Sequence, residues 1–250
     1  MKPPDRADLA LVAIDFRTLF VPGAPGRILR ENDPDRSAGP LFWLGGSAQG
    51  NVAGVHQDVD DAVAAELLAL SRSEPPFHVP ATLPLHIGRY ERLLARDGAV
   101  PRRDLEVTYE LPRNLPVTGD DELVSSGSAA ALRFEAAIAE GGMPENLVVL
   151  KMREVGDLWP PWCMLLCQGE VASIAFAARL SGEGAELGLA TVPKFRGRGF
   201  AALATAAWSN HPALASRALF YSAAQDNKAS RRVIERLNLR RIGTSLRLDV

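Results

Sequence analysis

Cysteine is scarce in this chain: its 250 residues hold two, Cys163 and Cys167. They share one short apolar run and match no metal-ligand spacing. In a strand that offset puts both on one face but too far apart to bridge easily, so they read as buried, reduced thiols. Histidine is equally sparse, and His56, His78, His86 and His211 show no partner spacing for a metal or a triad. A dominant charge is also missing. Lys and Arg total 28 against 30 Asp and Glu, a net charge of -2, which argues against a general polyanion binder. Met1 to Arg6 lacks the apolar core of a signal peptide, and Asp15 and Arg17 interrupt the next apolar stretch. No run approaches the length of a membrane span. The expectation is a soluble cytoplasmic protein without metal, nucleic-acid or membrane partners. What is present, 47% hydrophobic and 23% charged residues, suits one large globular domain or two small ones.

The first hundred residues alternate polar turns with short periodic segments. Asp8 to Phe20 is apolar and fits a helix or a strand. Arg27 to Arg30 and Leu41 to Leu44 read as strands, with Gly45, Gly46, Gly50 and Gly54 marking turns. Asp60 caps a helix to about Ser71, on which Val63, Leu67 and Leu70 share a face, and Pro75-Pro76 follows. A second helix spans Leu85 to Arg96, with Gly98 as its stop. From about residue 101 the pattern changes. Asp104 to Leu111 alternates like a strand. Asp120 to Glu140 reads as a helix with Ala131, Phe134 and Ile138 inward, ended by Gly141-Gly142. Trp162 to Gln168 and Val171 to Leu180 form a buried hairpin about Gly169-Glu170. A strand over Ala185 to Val192, a helix from Gly199 to Asn210, a strand over Ala218 to Ala223, a helix from Asn227 to Leu237 and a strand over Arg241 to Leu248 complete the chain.

The informative stretch runs Leu189-Ala190-Thr191-Val192-Pro193-Lys194-Phe195-Arg196-Gly197-Arg198-Gly199-Phe200-Ala201. A strand ends, two glycines follow, and a helix begins almost at once. The first turn of a helix carries unpaired N–H groups and the positive end of the dipole, a setting that binds phosphate. Glycine at 197 and 199 lets successive N–H groups converge and keeps Cβ atoms clear of a ligand. A second strand and helix follow, the latter carrying Asn227-Lys228-Ala229-Ser230-Arg231-Arg232-Val233-Ile234-Glu235-Arg236-Leu237-Asn238-Leu239.

Together the two segments resemble the coenzyme-binding signatures of the GNAT superfamily of N-acetyltransferases, sharply over 185 to 241 and more loosely over 101 to 250. The resemblance implies an α/β (α+β) fold with a mixed central sheet and flanking helices over 101–250. The N-terminal 1–100 is reminiscent of a degenerate GNAT-like half, expected to build one wall of the acceptor pocket. The cosubstrate implied is acetyl-CoA. Leu189, Ala190 and Thr191 correspond to the strand end that pairs with the pantetheine arm. Gly197, Arg198, Gly199, Phe200, Ala201 and Ala202 correspond to the pyrophosphate turn, and Asn227 to an Asn that meets the coenzyme or merely caps its helix. Arg196 and Arg198 face either phosphates or solvent, and the basic C-terminal helix reads foremost as a solvated face.

Amide formation from a thioester needs a neutral amine, a route for its proton and a polarised carbonyl; a backbone N–H near Leu189 or Ala190 suits the last. Glu186 stands where many relatives place the base, with a strand-edge salt bridge as its alternative. Many relatives carry a Tyr acid where this chain has Ile234, and another position sometimes used for a base falls at Ser222, with Tyr221 pointing to the opposite sheet face. Trp159 and Trp162 read as substrate wall or as ordinary packing. The function expected is acetyl transfer to a primary amine of a small molecule or peptide, in a monomer or homodimer. A non-catalytic acyl-CoA-binding sensor is the alternative.

Overall fold

A computed structural model describes residues 7–95, 99–118 and 122–249. Met1 to Arg6, the helix stop expected at Gly98 and the helix start expected at Asp120 lie outside the described residues. Seven α-helices and eleven strands are described, and every strand joins one mixed sheet in the order β1-β2-β4-β3-β11-β5-β10-β9-β8-β7-β6. The N-terminal part supplies α1 (Asp8–Leu19), β1 (Phe20–Pro22), β2 (Arg27–Glu31), β3 (Phe42–Ser47), β4 (Gly50–His56), α2 (Asp61–Ser73) and α3 (Ile87–Leu94). The C-terminal part begins with β5 (Arg102–Glu110), β6 (Glu122–Ser125), α4 (Ala129–Gly141) and α5 (Glu145–Val149). It continues with β7 (Trp162–Cys167), β8 (Glu170–Leu180), β9 (Gly184–Thr191), α6 (Phe200–Ser209), β10 (Ala218–Ala224), α7 (Lys228–Arg236) and β11 (Arg240–Asp249). The two parts are sewn together where β11 pairs antiparallel with β3, from Thr244↔Gly46 to Leu248↔Phe42.

Alternation along β11 shows how the faces are divided. Leu246 and Leu248 join Phe42, Leu44, Leu67 and Tyr90 in a core under α2 and α3. The same face continues under α6 and α7, where Ala204 and Trp208 pack on Leu187, Leu219, Tyr221 and Ile234. Ser245 and Arg247 point to the opposite face, which α1 covers centrally through Leu11 and Ile14 against Phe220 and Ile242. α4 and α5 cover the far end of that face through Ala131, Ile138 and Leu147.

The segment ambiguous between helix and strand is both: α1 ends at Leu19 and β1 starts at Phe20. Asp60 caps α2 as expected, its carboxylate accepting from the N–H groups of Ala62 and Val63. The glycines expected at turns behave differently. Gly45 and Gly46 lie within β3 and Gly54 within β4, while only Gly50 borders the hairpin turn. Bare backbone is needed there because aromatic rings lie flat on the strands. A Cβ at Gly45 would fall 2.1 Å from the Trp43 ring, and one at Gly54 2.5 Å from Phe16. The helix expected from Asp120 is also corrected. Glu122–Ser125 is a strand paired with β7, and the helix starts only at Ala129, after Ser128 caps it by accepting from the Ala131 N–H. The helix loses to the extended stretch because pairing with β7 buries Val124, which α4 then covers. The β7–β8 turn falls at Gln168-Gly169, both with positive φ (53° and 79°), one residue before the expected position.

Replacing Gly54 by Val is expected to destabilise the protein by roughly 1–3 kcal/mol, since Phe16 and α1 must shift to admit the side chain. Urea unfolding followed by tryptophan fluorescence measures it; an unchanged midpoint would show that α1 does not press on β4.

Candidate active site

The parallel pair β9–β10 stays bonded for only three positions, Ala218↔Gly184 to Phe220↔Glu186. Beyond them the strands part. Gly188 to Thr191 remain bonded to β8, and Tyr221 to Ala224 to β5. A wedge therefore opens in the middle of the sheet, with Leu189, Ala190 and Thr191 along one lip. Gly188 has no Cβ because the Phe176 ring would stand 2.4 Å from it, and Trp159 meets that ring edge-on at 5.9 Å. Trp162 is core, whereas Trp159 is half-buried against Phe176.

At the end of β9 the chain turns through a short 3-10 segment, Pro193–Phe195, into the glycine turn. Gly197 (φ 79°) and Gly199 (φ 87°) both adopt left-handed conformations, the latter as the N-cap of α6. Among the described residues, the N–H groups of Gly197, Arg198, Gly199, Phe200 and Ala201 meet no acceptor, whereas that of Ala202 turns back to the Gly199 carbonyl at 3.1 Å. Five unpaired donors at a helix start suit a diphosphate. Arg236, from α7, strengthens the positive field: its guanidinium packs on the turn so closely that a Cβ on Gly199 would lie 2.5 Å from Nη1. Arg198 lies over the rings of Phe195 and Phe200, at 5.7 and 5.1 Å from their centroids. Arg196 donates from Nε to the Thr191 carbonyl, and Lys194 is paired with Glu170. Asn227 is an N-cap, its Oδ1 accepting from the Ser230 N–H at 3.1 Å. The residues present thus fit a coenzyme bearing a diphosphate and an extended arm.

Glu186 faces the α1 side, at the point where the wedge begins. Ser222 on β10 hydrogen-bonds it, Arg179 on β8 attracts it, and Glu106 and Glu31 repel it. Burial nevertheless dominates and pushes its carboxyl up to about 7. Ser222 also lies 3.3 Å from the Thr108 hydroxyl. Around this chamber stand groups that carry no motif. Glu31, only 2% exposed, accepts from Arg179 Nε at 2.9 Å and from an Arg247 Nη at 2.7 Å. Burial raises Glu106, partly offset by Arg247. Asp15 of α1 is 2% exposed, and its carboxyl is raised by burial first, then by Glu186 and Glu106. Asp15 and Glu31 come from the N-terminal part, so the Glu186 chamber is walled by both parts of the chain.

Tyr221 points to the other face, buried among Val233 and Ile234, with its hydroxyl bonded to Ser230. Ile234 is wholly within that core and offers no proton. Both cysteines are free; Cys163 lies 3.2 Å from the Ser125 hydroxyl, and burial pushes its thiol up to about 11. Among the described residues no group of His, Cys, Asp and Glu is arranged to hold a metal. No helix of the described residues is long and apolar enough to cross a membrane.

Residues 144–240 match the model of the GNAT acetyltransferase domain. Among solved structures, a GNAT-family protein from Novosphingobium aromaticivorans is similar at 19% identity and a TM-score of 0.41 over 60% of this chain and 66% of its own. An acetyltransferase of that family from Colwellia psychrerythraea is similar at 18% identity and TM-score 0.39, over 64% of this chain and 60% of that one. A GCN5-related N-acetyltransferase from Sphaerobacter thermophilus is 13% identical, TM-score 0.42, over 87% and 80% respectively. The chain thus spans less than two thirds of the length of the first two structures. No curated protein matches it.

Gly199→Ala is expected to weaken coenzyme A binding at least about tenfold, because a methyl group both strains a left-handed residue and displaces Arg236. Calorimetric titration with coenzyme A checks this; unchanged affinity would remove the turn from the coenzyme site.

Proposed function

We propose that this chain, whose residues 144–240 form a GNAT acetyltransferase domain, moves an acetyl group from acetyl-CoA to a primary amine. The observation that carries the reading is the position of Glu186, a carboxyl poised near neutrality where the strands part, on the strand that leads into the glycine turn. Acetyl-CoA brings an already activated acyl thioester, so the protein's task is placement and proton traffic. The N–H groups of the glycine turn would hold the diphosphate. The free lip of β9 at Leu189, Ala190 and Thr191 would align the arm and present a backbone donor to the acyl carbonyl.

Glu186, ionised, takes a proton from the incoming ammonium group directly or through water, leaving a nucleophilic nitrogen. The nitrogen bonds to the carbonyl carbon and the carbon–sulfur bond breaks, its electron pair leaving on sulfur. The second proton on nitrogen and the one held by Glu186 pass to solvent, and the thiolate takes one from water, since Ile234 supplies none. That absence is the specific ground for a second reading, a non-catalytic acyl-CoA sensor.

Glu186→Gln is expected to lower kcat about a hundredfold or more while leaving coenzyme affinity intact. For the unaltered protein and an amine of high pKa, log kcat/KM should rise with slope one below about 7 and level off above it, because the base must be ionised to receive the proton that the bound ammonium brings. Glu106 and Asp15 face the same chamber, so the break reports the coupled cluster. A coenzyme-binding protein with no turnover on a broad amine panel would favour the sensor.

A further inference from the structure

The inward side of α1 is apolar except at two places, Asp15 and Thr18. Thr18 is satisfied within its own helix, its hydroxyl donating to the Ile14 carbonyl at 2.8 Å. Asp15 is not. It is 2% exposed, and its Oδ1 is buried without a hydrogen-bond partner among the described residues. Helix spacing sets it against the middle of the sheet. Leu11, one turn before it, and Ile14 beside it pack on Phe220, the residue paired with Glu186 across β9 and β10. Ile14 and Thr18 also press on the start of β9, where a Cβ on Gly184 would lie 2.2 Å from Thr18 Oγ1 and 3.2 Å from Ile14 Cγ2. The Asp15 carboxyl thus stands over the start of the wedge, within electrostatic reach of Glu186.

A carboxylate in that place would be a charge without water, donor or counter-ion, and keeping the proton avoids that cost. Burial raises Asp15 first, then Glu186 of β9 and Glu106 of β5 raise it further. The cations of the chamber are turned elsewhere, since Arg179 of β8 and Arg247 of β11 both donate to Glu31 of β2. β1 and β3 carry no ionisable side chain, β10 turns Tyr221 to the other face, and β4 ends on His56, which accepts from the Asp58 N–H. Asp15 is therefore a neutral acid with one O–H to give, and the ionised Glu186 is an acceptor for it.

We propose that Asp15 is a positioning residue for the candidate base, its retained proton directed at the Glu186 carboxylate, directly or through one water. The bond keeps Glu186 at the wedge and holds it against the pull of Arg179. The two carboxyls then share one proton in the resting state. The proton of the incoming ammonium goes to Glu186 and on to solvent, while Asp15 keeps its own throughout. The inference rests on the reading of Glu186 as the base, but the pairing of the two carboxyls does not depend on turnover. It also separates function from stability at this position. An apolar side chain would suit the inner side of α1 better than an acid with an orphaned oxygen does.

The test compares the full chain with its Asp15→Leu and Asp15→Asn variants. Asp15→Leu is expected to raise Tm by about 2–4 °C and yet to lower kcat at neutral pH at least about tenfold, with coenzyme A affinity unchanged. Asp15→Asn, which keeps a donor in the same place, should rescue kcat to within about fivefold of the unaltered protein. A hydrogen bond to an ionised carboxyl favours ionisation, so its loss should move the break in the pH profile above about 7 in Asp15→Leu and not in Asp15→Asn. NMR titration of the side-chain carboxyl carbons needs no turnover; it should show the same move for Glu186, and Asp15 still protonated when Glu186 ionises. An Asp15→Leu protein with unchanged kcat and break, one that loses stability along with activity, an asparagine variant as impaired as the leucine one, or an Asp15 that ionises before Glu186 would each overturn the proposal. If the Glu186 titration moves as expected and no amine is acetylated, the acetyl-transfer reading fails and the pairing stands.

Discussion

One carboxylate ties the molecule together. Glu31, at the end of β2, receives Arg179 from β8 and Arg247 from β11, bonds that close chain separations of 148 and 216 residues. With both guanidiniums partly withdrawn from water and the carboxylate almost fully so, removing the acid would leave Arg179 without its ion-pair partner and Arg247 with Asp249 alone, at 3.6 Å. Breaking such a buried pair costs about 3–5 kcal/mol, far more than a surface ion pair contributes. The site depends on this bridge directly. Arg179 is the cation that attracts Glu186, so the residue that binds the two parts of the chain also sets the electrostatic surroundings of the candidate base.

That arrangement explains why the N-terminal part carries no motif of its own yet shapes the chamber. Its contributions are single residues, Asp15 on α1 and Glu31 on β2, brought in by a helix laid across the sheet and by the β3–β11 pairing. The sheet is continuous through that pairing, so the chamber's walls share one framework. Two further hydrogen bonds, from Asn32 Nδ2 to the carbonyls of Thr18 and Leu180 at 3.1 and 2.9 Å, fix the chain just beyond β2 against β8.

Local signals carried much of the fold. Asp60, Ser128 and Asn227 cap helices through side-chain oxygens, and the hairpin about Gly169 needed only its turn residues. The coenzyme turn was legible because its chemistry is contiguous: glycine, glycine and a helix start lie within a few residues. The acidic chamber was not, because its members come from α1, β2, β5, β8, β9 and β11. The signs were there in part. Asp15 interrupts an otherwise apolar helix, and Asp104, Glu106, Thr108 and Glu110 put polar groups on every second position of β5, though it is a central strand. Gly45 and Gly54 misled for a related reason. A glycine that yields to a ring from another element has the same local sequence as one that makes a turn.

The ends of the sheet have a consequence for how copies of the molecule can meet. Eleven strands in a row would present two long templates for adding further strands, and both are blunted. On one side the outermost strand is three residues long and finishes at Pro22, which has no N–H to offer; on the other it is the four residues Glu122–Ser125. Edge-to-edge growth into filaments is thereby discouraged, and self-association is steered towards side-chain packing on the helical faces, where its geometry can close.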